Sequence, residues 1–410
     1  MKKSSNIVII GGGAAGIFAA INCARLNMDN RIILIEKSSK LLAKVKISGG
    51  GRCNVTTSCF NPKILVQNYP RGEKSLLSAF NEFGPKDTFN WFESRGVKLK
   101  IEEDGRVFPV SNNSQTIIDC LLEEAAKYRV EIIQQKSLKK LIKKDHGFDC
   151  YFNNETSISC SKILISTGGN PNMDSYQWIA KLGHKIEKPV PSLFTFNLIQ
   201  KEITKLMGVS IDNVSVKISG TKLQYTGPFL ITHWGFSGPA VLKLSAFSAR
   251  YLSDLNYKYA ILVNWIPDYT EETLRAYLQE FRTIEGAKII GSKLPFDLPK
   301  RLWEYLLEKS EINPQQRWSE LPKKSQNKLI NTLICDEYKA DGKTTFKEEF
   351  VTCGGVSLND VNLKTMESKN CPGLYFAGEI LDIDGVTGGF NFQAAWTTAW
   401  IAAKCMAEKS

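Results

Sequence analysis

The sequence predicts an α/β protein: a Rossmann-like nucleotide-binding domain interrupted by a β-rich module and a small helical module. Three observations carry that reading. A βαβ unit with a glycine-rich turn opens the chain. Buried strands that run into glycine recur near residue 163 and again after residue 351. Between them the pattern shifts to strict alternation and then to helical periodicity. The expected boundaries are 1–190 and 346–410 for the two parts of the nucleotide domain, 191–266 for the β-rich module and 267–345 for the helical one.

The opening unit is NIVIIGGGAAGIFAAINCARLNMDNRIILIEK. Ile7–Ile10 is a short apolar run, as in a strand buried on both faces. Gly11, Gly13 and Gly16 form a G-x-G-x-x-G turn, Ala14–Asn27 reads as a helix, and a second apolar run, Ile32–Ile35, ends at Glu36. Gly11 allows the tight turn, Gly13 lets backbone approach a pyrophosphate, and Gly16 lets helix and strand pack closely. The helix N-terminus offers unpaired N–H groups and a partial positive charge to phosphates. Glu36 is placed to accept hydrogen bonds from a ribose.

Length and composition fit a globular protein with a sizeable core: 410 residues, 43% hydrophobic and 23% charged. The apolar run behind Lys2 and Lys3 carries phosphate-loop glycines, so it does not read as a signal peptide, and no stretch is long and apolar enough to span a membrane. Ten cysteines without a C-x-x-C pair or a His/Cys cluster suggest no metal site and no disulfide framework, and a reduced, cytoplasmic setting. The net charge of +11 is spread along the chain, with Lys139, Lys140, Lys143 and Lys144 the densest group. On that pattern a small-molecule substrate is expected and a nucleic-acid partner is not. The oligomeric state is not legible.

Further along, SGGGRCN places Gly49, Gly50 and Gly51 as side-chain-free backbone beside Lys44, Lys46 and Arg52, with Arg52 and Asn54 able to bond a ring edge or a substrate carbonyl. Cys53 and Cys59 lie one residue too far apart to match the redox pair of disulfide reductases. Ser75–Arg95 reads as helical, and Ser114 as the cap of a helix with a stripe of Ile117, Ile118, Leu121, Leu122 and Ala125. Leu138 opens a segment expected to meet the adenine. Ile163–Ser166 is a strand running into Thr167, Gly168 and Gly169. Near the end, GLYFAGE and then Gly388, Gly389, Phe390 and Asn391 open a helix that reads as a second cofactor-facing N-terminus; if a flavin ring sits there, its dipole would stabilise negative charge developing on reduction.

Taken together, GGGAAG, SGGGRCN, EDGRVFP, STGG, LGH, THWGFSGPA, VTCGGVSL and GLYFAGEILDIDGVTGGFN resemble the NAD(P)/FAD-dependent oxidoreductases of the bile-acid dehydro-reductase-like or aminoacetone-oxidase-like type, over nearly the whole chain. More distantly the chain is similar to fumarate reductase flavoproteins. The resemblance implies FAD bound in a two-dinucleotide-binding-type (Rossmann-like) domain, with a β-barrel-like module and a small helical module inserted between its halves. It implies FAD contacts at Gly11, Gly13, Ala14, Ala15, Gly16, Glu36, Lys37, Lys44, Gly50, Gly51, Arg52, Cys53, Asn54 and Leu138. Thr167, Gly168, Gly169, Gly378, Glu379, Gly389, Phe390 and Asn391 complete the set. The segment after Gly169, NPNMDSYQWIAKLGH, is shorter than the glycine-rich loop usual in that family.

The expected chemistry is hydride transfer between FAD and a small organic substrate, as reduction of an activated C=C or oxidation of an amine or alcohol. NAD(P)H is a possible transient reductant, although only one dinucleotide fingerprint is present. His233 is the first choice as proton donor or carbonyl-polarising group, followed by Arg52 and Arg106, while His184 reads as structural. The basic balance keeps an FAD-dependent RNA-modifying protein as an alternative, beside a non-catalytic flavin-binding redox sensor.

Overall fold

A computed structural model describes residues 6–344 and 351–408 and divides the chain into two compact units, Met1–Ser192 with Lys347–Ser410, and Leu193–Phe346. The first unit is built on a seven-stranded sheet. Its parallel core runs Glu131–Ile133, β2 (Arg31–Ile35), β1 (Asn6–Ile10), Lys162–Ile165 and Leu374–Phe376, so β1 has the nearby β2 on one side and a strand more than 150 residues away on the other. Two short antiparallel strands, Val361–Asn362 and Glu367–Ser368, finish one edge.

Helix α1 (Ala14–Leu26) is apolar nearly all round, which suits burial on every side rather than a surface position. Its Phe18 lies 5.2 Å from the Trp396 ring of the C-terminal helix Phe390–Ala407, and Asn27 Nδ2 donates to Ala407 O at 2.8 Å. Asn22, fully buried mid-helix, donates to Phe18 O and accepts from the Trp91 indole, so both ends of its amide are satisfied.

Two local expectations change. The helical run from Ser75 to Arg95 is two helices, Glu73–Glu82 and Pro85–Glu93, because Pro85 cannot extend the first and Gly84 N–H is instead held by the Asp87 carboxylate at 2.8 Å. The helix Ser114–Lys127 is capped by Asn113, whose side chain accepts from Gln115 N–H; Ser114 is its first residue.

The second unit is a closed barrel in the order Thr195–Leu198, Gly235–Ser237, Gln224–Ile231, Ser210–Ile218, Lys258–Asn264 and Asp336–Thr344. Helices Glu271–Glu285, Lys300–Lys309 and Lys323–Ile334 lie in sequence between its last two strands. Asp336 is buried there because donors surround it: Trp265 Nε1 at 3.1 Å, the Tyr338 hydroxyl at 2.6 Å, and the Lys309 ammonium. Among the described residues no helix is long and apolar enough to cross a membrane.

The tightest packing in the first unit lies between β1 and α1. A Cβ on Gly16 would sit 1.9 Å from Gly11 O and 2.6 Å from Ser166 Oγ. Replacing Gly16 with Ala is therefore expected to cost about 1–3 kcal/mol, seen as a lower thermal midpoint by circular dichroism; an unchanged midpoint would show slack in this contact.

Candidate functional site

Where β1 ends, Gly11 takes φ +116° and donates its N–H to Ile35 O at 2.8 Å, turning the chain towards α1. A side chain at Gly11 would strike Ser166 O, whereas one at Gly13 would meet nothing within 4 Å. That open ground lies before the first turn of α1, which has no side-chain cap and no acidic residue. Its N–H groups are thus left to a ligand, and an anion is the ligand they favour.

Glu36, at the end of β2, accepts from Gly12 N–H at 2.7 Å and from Ser38 N–H at 2.8 Å, one bond to each carboxylate oxygen. The carboxylate is held in place with lone pairs to spare for ribose hydroxyls. It borders a cleft of about 230 Å³ that Gly11, Lys37, Leu138, Thr167 and Gly168 also line. Sequence reasoning missed the rest of that lining. Tyr176 and Trp178 come from the short segment after Gly169, and Asn170 N–H is fixed by the Tyr176 hydroxyl at 2.8 Å. The only sequence signal was an aromatic pair in an otherwise polar stretch.

Helix α2 (Ala43–Gly51) occupies part of what reads in the sequence as a loop. Its regular geometry ends before Ser48, which is extended, and Gly49, Gly50 and Gly51 follow at φ +58°, +68° and +82°. Side chains at Gly50 and Gly51 would project into open space, while one at Gly49 would press on Phe108. Arg52 lies 3.9 Å above that Phe108 ring and bonds Glu102 at 2.6 Å. Arg106 reaches the same carboxylate at 3.4 Å and Asp104 at 2.6 Å. Two of the three catalytic candidates therefore share one counter-ion.

The remaining glycine segments gather around this frame. Gly378, at φ +76°, comes so close to Ala15 that a Cβ would lie 2.9 Å from the alanine methyl, and its N–H is held by Thr398 Oγ1 at 2.9 Å. Glu379 bonds Lys44 Nζ at 2.6 Å and Thr352 N–H at 2.9 Å, and its carboxylate closes over Gly169. Asn54 accepts from Gly389 N–H at 2.9 Å and donates to the Thr56 and Val107 carbonyls, tying the triple-glycine turn to the start of the C-terminal helix. Asn391 exchanges two hydrogen bonds with Gly385, and Tyr69 donates to Phe390 O at 2.7 Å. The side chains of Asn54 and Asn391 already have backbone partners, so backbone is what this turn offers a ligand.

A buried pair that the sequence did not announce, Arg71 with Asp384, braces the same turn, with Ser192 Oγ donating to Asp384 at 2.7 Å. His184 is buried against Ser368 Oγ (2.7 Å) and Ile179 O, and burial lowers its pKa, as suits a structural role. His233 belongs to the second unit, exposed at a turn with its ring 4.4 Å from Trp234.

The HI0933-like protein Rossmann domain family matches residues 5–405. The chain belongs to that family. It is 31% identical over 408 residues to a ribosomal RNA dihydrouridine synthase of Escherichia coli, covering 97% of this chain and 96% of the relative. It is 27% identical over 413 residues to a 3-dehydro-bile acid delta(4,6)-reductase of Clostridium scindens, covering 99% and 100%. Among solved structures, a 3-ketosteroid-delta4-(5alpha)-dehydrogenase of Rhodococcus jostii superposes with a TM-score of 0.53 at 13% identity, covering 100% of this chain and 98% of the other. The open conformation of a flavocytochrome c3 fumarate reductase gives 0.52 at 15%, covering 99% and 78%. At those identities the likeness is one of fold. As a member of the HI0933-like family the chain is an FAD-dependent oxidoreductase.

The residues present fit such a cofactor. Backbone lies open at Gly13, Gly50 and Gly51, the start of α1 is uncapped, and Thr352 Oγ1, buried between Gly169 and Glu379, has no hydrogen-bond partner among the described residues. Glu36→Ala should lower the flavin retained on purification, measured as the ratio of flavin to protein absorbance; undiminished flavin would exclude Glu36 as the ribose acceptor. Burial also pushes the thiols of Cys23 and Cys53 up to about 12 from an ordinary 9.0. Above pH 9 the unfolded chain would shed protons that the folded one keeps. Stability should therefore fall as pH rises from about 9 towards about 12, by on the order of 1 kcal/mol per pH unit for each thiol. Urea midpoints across that range test this, and Cys53→Ala should make the fall shallower.

Proposed function

We propose that this protein reduces a carbon–carbon double bond conjugated to a carbonyl, and that its substrate is a uracil ring in ribosomal RNA. The observation that carries this reading is the near full-length match to a ribosomal RNA dihydrouridine synthase. Dihydrouridine is uridine with the ring double bond next to its carbonyl saturated, so the reaction is a net addition of hydride and proton. The net charge of +11 suits a polyanionic substrate.

FAD supplies the hydride in such a reduction, with NAD(P)H proposed as the reductant that replenishes it. In this reading the first turn of α1 and Gly13 hold the pyrophosphate, Glu36 the ribose, and Leu138 with the aromatic segment after Gly169 the adenine. Lys44, Gly50, Gly51, Cys53, Gly378 and Gly389 border the ring system with backbone and charge. The first turn of the helix Phe390–Ala407 carries no acidic residue, so its dipole favours negative charge there. Arg52 and Arg106 are proposed to donate hydrogen bonds to the uracil carbonyl.

The bile-acid reductase relative favours a second reading, a small-molecule enone as substrate. The two differ in substrate and agree in chemistry. Incubating the flavin-loaded protein anaerobically with NADPH and unmodified ribosomal RNA, followed by nucleoside mass spectrometry, separates them. Dihydrouridine is the expected product. Its absence, with flavin reoxidation by a steroid enone instead, would replace the RNA reading with the small-molecule one.

A further inference from the structure

The turn between strands Gln224–Ile231 and Gly235–Ser237 is a two-residue hairpin loop closed by Thr232 and Gly235, which bond each other's backbone at 2.7 and 3.3 Å. Turn positions usually carry small polar residues, which leave nothing apolar in water. Here the two loop residues are His233 and Trp234. Thr232 Oγ1 accepts from the N–H of both Trp234 and Gly235, and Gly235 packs too closely on Phe196 O for any side chain, so the turn is pinned from both sides.

The two rings stand 4.4 Å apart, tilted by 45°, on this pinned turn. Trp234 is 44% exposed, whereas the chain's seven other tryptophans are buried or half-buried. Its indole N–H has no partner among the described residues. Beside it, Leu198 N–H bonds Trp234 O at 3.0 Å, which brings up Ile199, itself 55% exposed, and Ile199 N–H bonds Lys339 O at 2.9 Å. Lys339 and Lys205 are exposed and make no ion pair among the described residues, and Lys201 is also exposed. A rigid, solvent-facing aromatic pair with exposed lysines on the neighbouring segments is the pattern that binds single-stranded nucleic acid: rings stack on bases and lysines track phosphates.

We propose that Trp234 is a base-stacking anchor for single-stranded RNA, with Lys201, Lys205 and Lys339 contacting the backbone beside it. This rests on the RNA reading above and adds the surface that engages the strand. It also explains why two aromatic rings are held at an exposed turn rather than in the core.

The test is fluorescence anisotropy of the flavin-loaded protein with a labelled oligouridylate and with unmodified ribosomal RNA fragments. Trp234→Ala should weaken binding about 5- to 100-fold, Trp234→Phe should recover most of it, and both should keep wild-type flavin content and thermal midpoint. Lys339→Ala should lower the slope of log affinity against log salt by about 0.7. Wild-type binding that Trp234→Ala leaves unchanged would overturn this proposal and leave the RNA reading standing. So would a Trp234→Ala effect on self-association or vesicle binding with RNA affinity intact. No RNA binding by the wild type would overturn both.

Discussion

The backbone oxygen of Gly11 occupies the space where any other residue at position 16 would place its first side-chain carbon. That exclusion draws the start of α1 down onto the end of β1, and much of the first unit depends on it. Ser166, ending the neighbouring strand, donates its hydroxyl to Ile10 O and shares the same crowded point. Gly378, at the end of another strand, comes up against Ala15 with equally little room. Four separate segments thus meet where only backbone and the smallest side chains fit. What remains open beside them is the ground in front of Gly13. The site is a consequence of packing: where backbone has displaced side chains, a flat or phosphorylated ligand can approach.

Charge around that ground is arranged in closed pairs. Lys44 is answered by Glu379, Arg52 and Arg106 by Glu102, and Arg71 by Asp384. The first two sets are partly exposed and contribute little to stability in water. The last is buried, and removing either partner would leave a charge without compensation. Burial raises the Asp384 pKa while Arg71 opposes that shift, so the pair persists as an ion pair only because the guanidinium and Ser192 both face it. The difference separates roles: the buried pair fixes the turn before the C-terminal helix, and the exposed pairs leave cations able to exchange partners.

Much of this was legible in the sequence, for a physical reason. Parallel strands buried on both faces are continuously apolar, and Ile7–Ile10, Ile32–Ile35 and Ile163–Ile165 say so locally; the glycines at their ends say where backbone must turn or touch. The Asn113 cap was misassigned by one residue because Asn and Ser both cap well and stand side by side. The strand Asp336–Thr344 was harder to see. Its inward positions are Asp336, Tyr338 and Ala340, so the residue that should have been apolar is a carboxylate made tolerable by Lys309 and Trp265. Glu102 and Arg71 were invisible for a similar reason, since their importance lies in partners far away in sequence. Trp234 was in view throughout, but only burial distinguishes an aromatic that fills a core from one held out into water.

The order of the barrel strands bears on how the chain is made. Thr195–Leu198 lies against Asp336–Thr344, so the barrel stays open along that seam until the three helices before its last strand have been synthesised. The nucleotide sheet waits longer, because Leu374–Phe376 and the helix Phe390–Ala407 come later still. The phosphate turn, written first, is among the last features to gain its full surroundings. During synthesis the apolar helix α1 and the strand edges around it have no permanent cover while more than 300 residues follow. A nascent chain in that state is the kind that chaperones hold.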